Sequence, residues 1–187
     1  MCLTLDDFDN EPPEAQQITN VKPTDPVVGQ LQCLYDNIKN GTATKNDLDW
    51  IIKLYALPNT NTITCKVQNK EELKNIITSI CEIDLATDLN WIDVSALTDM
   101  SFLFFDSPFN GDISRWNVSN VTDMCNMFYR SKFNGDLSGW DVFNVTNMRF
   151  MFHKADFNKD ISSWRINPKA RTEYMFLDCA IDNSNKP

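Results

Sequence analysis

The sequence predicts an α/β repeat solenoid, a short array of about four coils of 24 residues behind an N-terminal helical hairpin and a strand-helix cap. Three observations carry this. "FNGDISRWNVSNVTDM" at 109–124 is followed by a near-copy, "FNGDLSGWDVFNVTNM", at 133–148, starting 24 residues later. In that frame the recurring positions are apolar throughout, and a single unit of this size cannot bury its own apolar side without a stacked neighbour. The chain of 187 residues is 42% hydrophobic and 11% aromatic, which suits a folded core.

Residues 1–26 combine five acids (Asp6, Asp7, Asp9, Glu11, Glu14) with Pro12, Pro13, Pro23 and Pro26, and are expected to form an acidic flexible tail. A helical hairpin is expected over 27–61. Val27, Val28, Leu31, Leu34, Tyr35 and Ile38 share one helical face that Gly41 ends. Thr44 with Asp47 starts a second helix, with a stripe of Leu48, Ile51, Ile52 and Tyr55, and Pro58 stops it.

A strand-helix cap is expected over 62–84. Ile63, Cys65 and Val67 alternate with polar residues, the pattern of a half-buried strand. Asn69 with Glu72 caps a helix whose stripe is Leu73, Ile76, Ile77 and Ile80.

The repeats are expected over 85–178, with a C-terminal tail at 179–187. The columns are Val94, Val118, Val142 and Ile166; Leu97, Val121 and Val145; Met100, Met124 and Met148; Phe104, Phe128, Phe152 and Phe176; Phe109, Phe133, Phe157 and Ile181; Ile113, Leu137 and Ile161; Trp116, Trp140 and Trp164. Met124, Met127 and Phe128 have the spacing of one helical face, and Asp136, Leu137 and Ser138 read as a short strand, so each coil is expected to hold one helix and one strand. A period between about 20 and 29 residues is that of leucine-rich solenoids. Trp91 lies 25 residues before Trp116, which puts Ile92 in the column and turns Trp91 outward or toward the cap.

"DLNWIDVSALTDMSFLF" and the two near-copies resemble the bacterial surface proteins with BspA-like leucine-rich repeats, the mycoplasma-type "domain of unknown function 285" group, and "NKEELKNIITSI" resembles the helix before their first coil. The resemblance covers roughly 62–178. It implies adhesion or protein binding without catalysis.

The net charge of −9 would be repelled by phosphate backbones, so nucleic acid is not an expected partner. No run approaches the roughly 18 to 20 apolar residues of a membrane span. The N-terminus has no basic start or apolar stretch of a secretory signal, so the chain as written starts in the cytoplasm; a removed leader would place it at the surface. The six cysteines show no metal-ligand spacing and read as small buried hydrophobes, with disulfides as the other reading. Asn40, Asn117, Asn120 and Asn144 lie in glycosylation sequons, three of them in the repeat turn, which explains them better than glycans do.

No catalytic motif or cofactor site is expected. The single histidine, His153, occupies a column shared with Phe105 and Tyr129 and reads as a surface residue of a repeat helix. Asp88, Asp112, Asp136 and Asp160 form a ladder that is either a cation site or a set of turn acceptors, and the turn role is the expected one. Phe102, Phe105, Tyr129, Phe143, Phe150 and His153 stand off the core columns and are the expected partner-binding residues, unless another segment or a dimer covers them. The expected function is a non-catalytic protein-protein interaction module presenting a rigid surface to a protein partner. The alternatives are an adhesin-like surface protein without its leader, and an enzyme using the N-terminal helices.

Overall fold

The computed structural model describes residues 65–82 and 84–187, with Asp36, Asn37, Asn40, Thr42 and Thr44 before them. The tail expected over 1–26 lies outside the described residues, and so does nearly all of the hairpin expected over 27–61. A two-residue strand β1 (Cys65–Lys66) runs parallel to β2 (Ile92–Asp93), with Cys65 opposite Ile92. Between them lies the helix α1 (Lys70–Cys81). Its N-cap is Asn69, whose side chain accepts the Glu72 N–H at 3.0 Å, while the Glu72 carboxylate accepts the Gln68 N–H at 2.8 Å. Leu73, Ile76, Ile77 and Ile80 are buried against one core that continues through every apolar column to Ile181.

From Met100 onward the expected helices and strands give way to tandem turns. The Leu103, Phe105 and Ser107 N–H groups bond back three residues to Met100, Phe102 and Phe104, and the alternate N–H groups leave the turn altogether. Met100, Phe102, Phe104 and Asp106 donate instead to the carbonyls of Asp123, Cys125, Met127 and Tyr129 at 2.8–3.0 Å. The pattern recurs from 124–130 to 147–153 and from 148–154 to 171–177.

Phe102, Asn126, Phe150 and Tyr174 have φ between 55° and 61°, as do Asp106, Arg130, Lys154 and Asp178 between 51° and 57°. A left-handed residue breaks a right-handed helix after one turn. The spacing of Met124, Met127 and Phe128 therefore reports a turn whose inward residues fall at helix-like intervals. The expected strand is likewise a turn: Asp136 accepts the Ser138 N–H at 2.9 Å, a local bond that competes with a ladder, and Leu137 still points inward, fully buried.

Residues 24 to 27 apart are joined at several other points. Phe104, Phe128, Phe152 and Phe176 stack at 5.3, 5.3 and 5.7 Å between ring centroids. The Asn110, Asn134 and Asn158 side-chain oxygens accept the N–H groups of Asn134, Asn158 and Asp182. The Lys132, Asp156 and Ala180 N–H groups point the other way, to the carbonyls of Ser107, Ser131 and Ala155. The Trp116, Trp140 and Trp164 indoles donate to Leu89, Ile113 and Leu137 carbonyls at 2.9, 3.2 and 2.8 Å.

Trp91 is not turned outward: it is 6% exposed beside Ile92 at 2%, so the one-residue offset is absorbed inside the core. A short 3-10 helix, η1 (Asn183–Asn185), precedes Lys186, whose ammonium lies 5.7 Å from the centre of the Phe176 ring.

Candidate interaction surface

The tandem turns fix where the off-column aromatics go. Because the 102 and 105 positions recur at each turn run, their side chains fall into two adjacent rows on the outside. Phe102 meets Phe105 at 5.8 Å, Phe105 stacks on Tyr129 at 4.9 Å and 4°, and Tyr129 meets His153 at 5.0 Å. Phe150 packs edge-on to His153 at 5.8 Å and stacks on Tyr174 at 5.1 Å. Six rings thus form one continuous string. Phe102 and Phe105 are 50% and 45% exposed at one end and Tyr174 is 60% exposed at the other.

His153 is corrected from a surface residue to a buried one, 8% exposed, because the rings of Tyr129 and Phe150 close over it. Among the described residues its Nδ1 has no hydrogen-bond partner, which suits an imidazole used as a packing ring. Phe143 stands apart from the string: it is 45% exposed, and the Arg165 guanidinium lies 5.7 Å from its ring centre.

Beside the first turn run lies a groove of about 560 Å³. Phe102, Leu103 and Phe105 form one wall and Lys74, Thr78 and Cys81 of α1 form the other. Burial pushes the Cys81 thiol above its ordinary value, which favours the neutral form. At the near end, the Lys70 ammonium sits 2.6 Å from the Asp99 carboxylate and 2.9 Å from the Ser101 hydroxyl. Partial burial works to raise the Asp99 carboxyl, but Lys70 and Ser101 outweigh it and hold the group below the usual range. Asp106 pairs with Arg130 at 3.4 Å, and Lys132 with Asp156 at 3.0 Å.

The acid ladder has local partners. Asp88, Asp112, Asp136 and Asp160 each accept the N–H two residues on, at 2.7, 2.8, 2.9 and 2.9 Å. Partial burial works to raise Asp112, yet the Ser114 N–H and hydroxyl outweigh it, and Ser162 lowers Asp160 in the same way. Among the described residues no group of three or more His, Cys, Asp or Glu side chains could hold a metal ion. The sequon residues Asn120 and Asn144 donate their side-chain amides to the carbonyls of Ser95 and Ser119. Cys65 is buried, and Cys81, Cys125 and Cys179 are free and half-buried.

The family described as Mycoplasma protein of unknown function, DUF285, matches residues 71–186. The chain belongs to this family. The DUF285 region takes in nearly all of α1, every turn run, the groove and the whole ring string. No curated protein and no solved structure matches the chain. Among the described residues no helix is long and apolar enough to cross a membrane.

Sequence reasoning missed Tyr174 and Leu177, 60% and 46% exposed, although each lies one period after a residue it named, Phe150 and His153. It also missed the α1 wall of the groove, because Lys74, Thr78 and Cys81 are the polar flank of an otherwise ordinary amphipathic helix.

Proposed function

We propose that this DUF285 chain is a non-catalytic protein-protein interaction module, a short leucine-rich-repeat-like solenoid of the BspA-like kind that presents a rigid face to a protein partner. The observation that carries the reading is the ring string from Phe102 to Tyr174. Aromatic side chains are the commonest anchors of protein interfaces, because they bury large areas at little rotamer cost. Here the rings are also pre-ordered by one another and by the backbone bonds beneath them, so a partner would meet little ordering penalty. The flanking pairs Asp106–Arg130 and Lys132–Asp156 supply a mixed-charge rim suited to orienting a polypeptide.

The test is cross-linking capture from native lysate with the full chain as bait. Phe105→Ser with Tyr129→Ser is expected to abolish capture with the fold preserved by circular dichroism. Phe143→Ser, outside the string, is expected to leave capture intact. Normal capture by the double variant would overturn the assignment of this face.

A further inference from the structure

Within each turn run the bonds to the next run share one polarity, while the bonds that flank the run, such as Thr122 and Asp123 to Thr98 and Lys132 to Ser107, go the other way. Four leave each run, from Met100, Phe102, Phe104 and Asp106 and their counterparts, and every one is an N–H of the earlier run meeting a carbonyl of the later run. The remaining N–H groups and carbonyls of each run are used within its own turns. The two ends are therefore chemically opposite. Among the described residues the first run has carbonyls at Asp99, Ser101, Leu103 and Phe105 that accept no backbone N–H. The last run has N–H groups at Thr172, Tyr174, Phe176 and Asp178 that reach no backbone carbonyl of the described residues.

From these two edges we propose that the chain associates head to tail with a second copy of itself, the run Thr172–Asp178 of one copy docking against the edge Asp99–Phe105 of the next, beside the groove. This rests on the reading of the aromatic face as a contact surface and names its partner. Along these run edges a symmetric pairing would set donors against donors or acceptors against acceptors, so the edges match each other only as unlike ends.

Extending the 24-residue register by one step brings Tyr174 toward Phe102 and Leu177 toward Phe105, while Phe104 stays buried in the core that α1 shares. Among the described residues, four of the six exposed large hydrophobic side chains are Phe102, Phe105, Tyr174 and Leu177, one pair at each end. Their counterparts inside the array, Tyr129, Phe150 and His153, are half-buried or buried. The same step sets Arg171 against Asp99, and Glu173 against Ser101, where the Lys70 ammonium lies. The one like-charged meeting, Asp178 on Asp106, falls where Asp106 is already paired with Arg130. The groove of about 560 Å³, walled by Phe102, Leu103 and Phe105 on one side and α1 on the other, is where Tyr174 and Leu177 of the entering copy would sit. Lys186, lying over the Phe176 ring, has to swing away.

Sedimentation of the purified full chain over a wide concentration series tests this. The wild type is expected to form species that grow with concentration, since a contact between unlike ends does not close at a pair. A head variant (Phe102→Ser with Phe105→Ser) and a tail variant (Tyr174→Ser with Leu177→Ser) should each be monomeric alone. Mixed in equal amounts they should form a one-to-one dimer that grows no further, because each keeps one intact end. A wild type that stays monomeric, single-end variants that assemble like wild type, or a mixture that stays monomeric would each overturn the proposal. Where a serine pair fails to fold, Glu173→Lys on the exposed edge replaces it: weaker association is expected, and unchanged association overturns the docking. A monomeric wild type with intact lysate capture would reject the second copy as partner and keep the interaction face, whereas loss of both would reject both.

Discussion

Replacing Gly111 by alanine places a methyl group where the preceding unit already stands. A Cβ built there would lie 2.0 Å from the Thr87 carbonyl oxygen and 2.7 and 2.8 Å from the Phe109 ring. The ring edge can turn aside, but the carbonyl is backbone. It is held by bonds on both sides, Asn110 N–H to Leu85 and Leu89 N–H to Asp112, each 2.8 Å. Overpacking of this kind costs about 1–3 kcal/mol. Loss of one flanking bond adds about 0.5–1.5 kcal/mol, so Gly111→Ala should destabilise by about 2–4 kcal/mol. For a chain of this size that is a melting temperature lower by about 5–15 °C.

Two other glycines serve as internal controls. At Gly139 the nearest atom is the Ser114 oxygen at 4.0 Å, so Gly139→Ala should be neutral or stabilise by about 0.4–1 kcal/mol through the unfolded chain. At Gly135 the close contacts are the Phe133 ring at 2.6 and 3.0 Å, with the Gly111 oxygen at 3.4 Å, so Gly135→Ala should fall between them. Urea denaturation with parallel thermal melts gives all three. Gly111→Ala within about 0.5 kcal/mol of wild type, the ordinary scatter of surface changes, would refute the contact between the 87 and 111 segments.

The acid ladder and the carboxylates give two more expectations. Asp136→Asn keeps an oxygen for the Ser138 N–H and should be nearly silent, whereas Asp136→Ala should cost about 0.5–1.5 kcal/mol; millimolar calcium should leave the melting temperature unmoved, and a calcium-dependent rise lost in both variants would restore the cation reading. Asp93, Asp99, Asp112 and Asp160 are all held below the ordinary carboxylate value. Between the folded and unfolded values, the latter about 3.9, the unfolded chain binds more protons, so stability is complete above that range and falls as pH drops through the folded values. Melts across the acid range should show this fall, reduced in Asp99→Asn, and a flat profile would contradict it.

Much of the core was legible because burial depends on a period that the residues state openly. Leu73, Ile76, Ile77 and Ile80 announce a helix by spacing, and Asn69 announces its start. The Met and Phe columns announce their interior positions equally well. The backbone between them was not legible, because tandem turns and a helix both bring residues i, i+3 and i+4 to one side. The left-handed positions that distinguish them carry Phe102, Phe150 and Tyr174, and only Asn126 of that row is a residue type that commonly adopts such a conformation. Five rings of the string, Phe102, Phe105, Tyr129, Phe150 and His153, could be picked out because they fall in two rows of the frame, and the sixth, Tyr174, lies in the same row one period on. The burial of His153 was not readable, because it depends on Phe150 in the neighbouring row leaning across. Nor was the groove, which exists only once α1 is laid beside a run that lies more than 20 residues further along the chain.

The backward bonds from Lys132, Asp156 and Ala180 leave a written mark on the sequence. At each of these positions the N–H is needed to hold the unit before it. The corresponding position in the first unit is Pro108, which has no N–H to give. A proline in any of the later copies of that column would give up one inter-unit tie. Pro108 works as punctuation: it tells a reader of the bare sequence which copy begins the array, and a duplication that carried it into an internal unit would build a weak joint at that place.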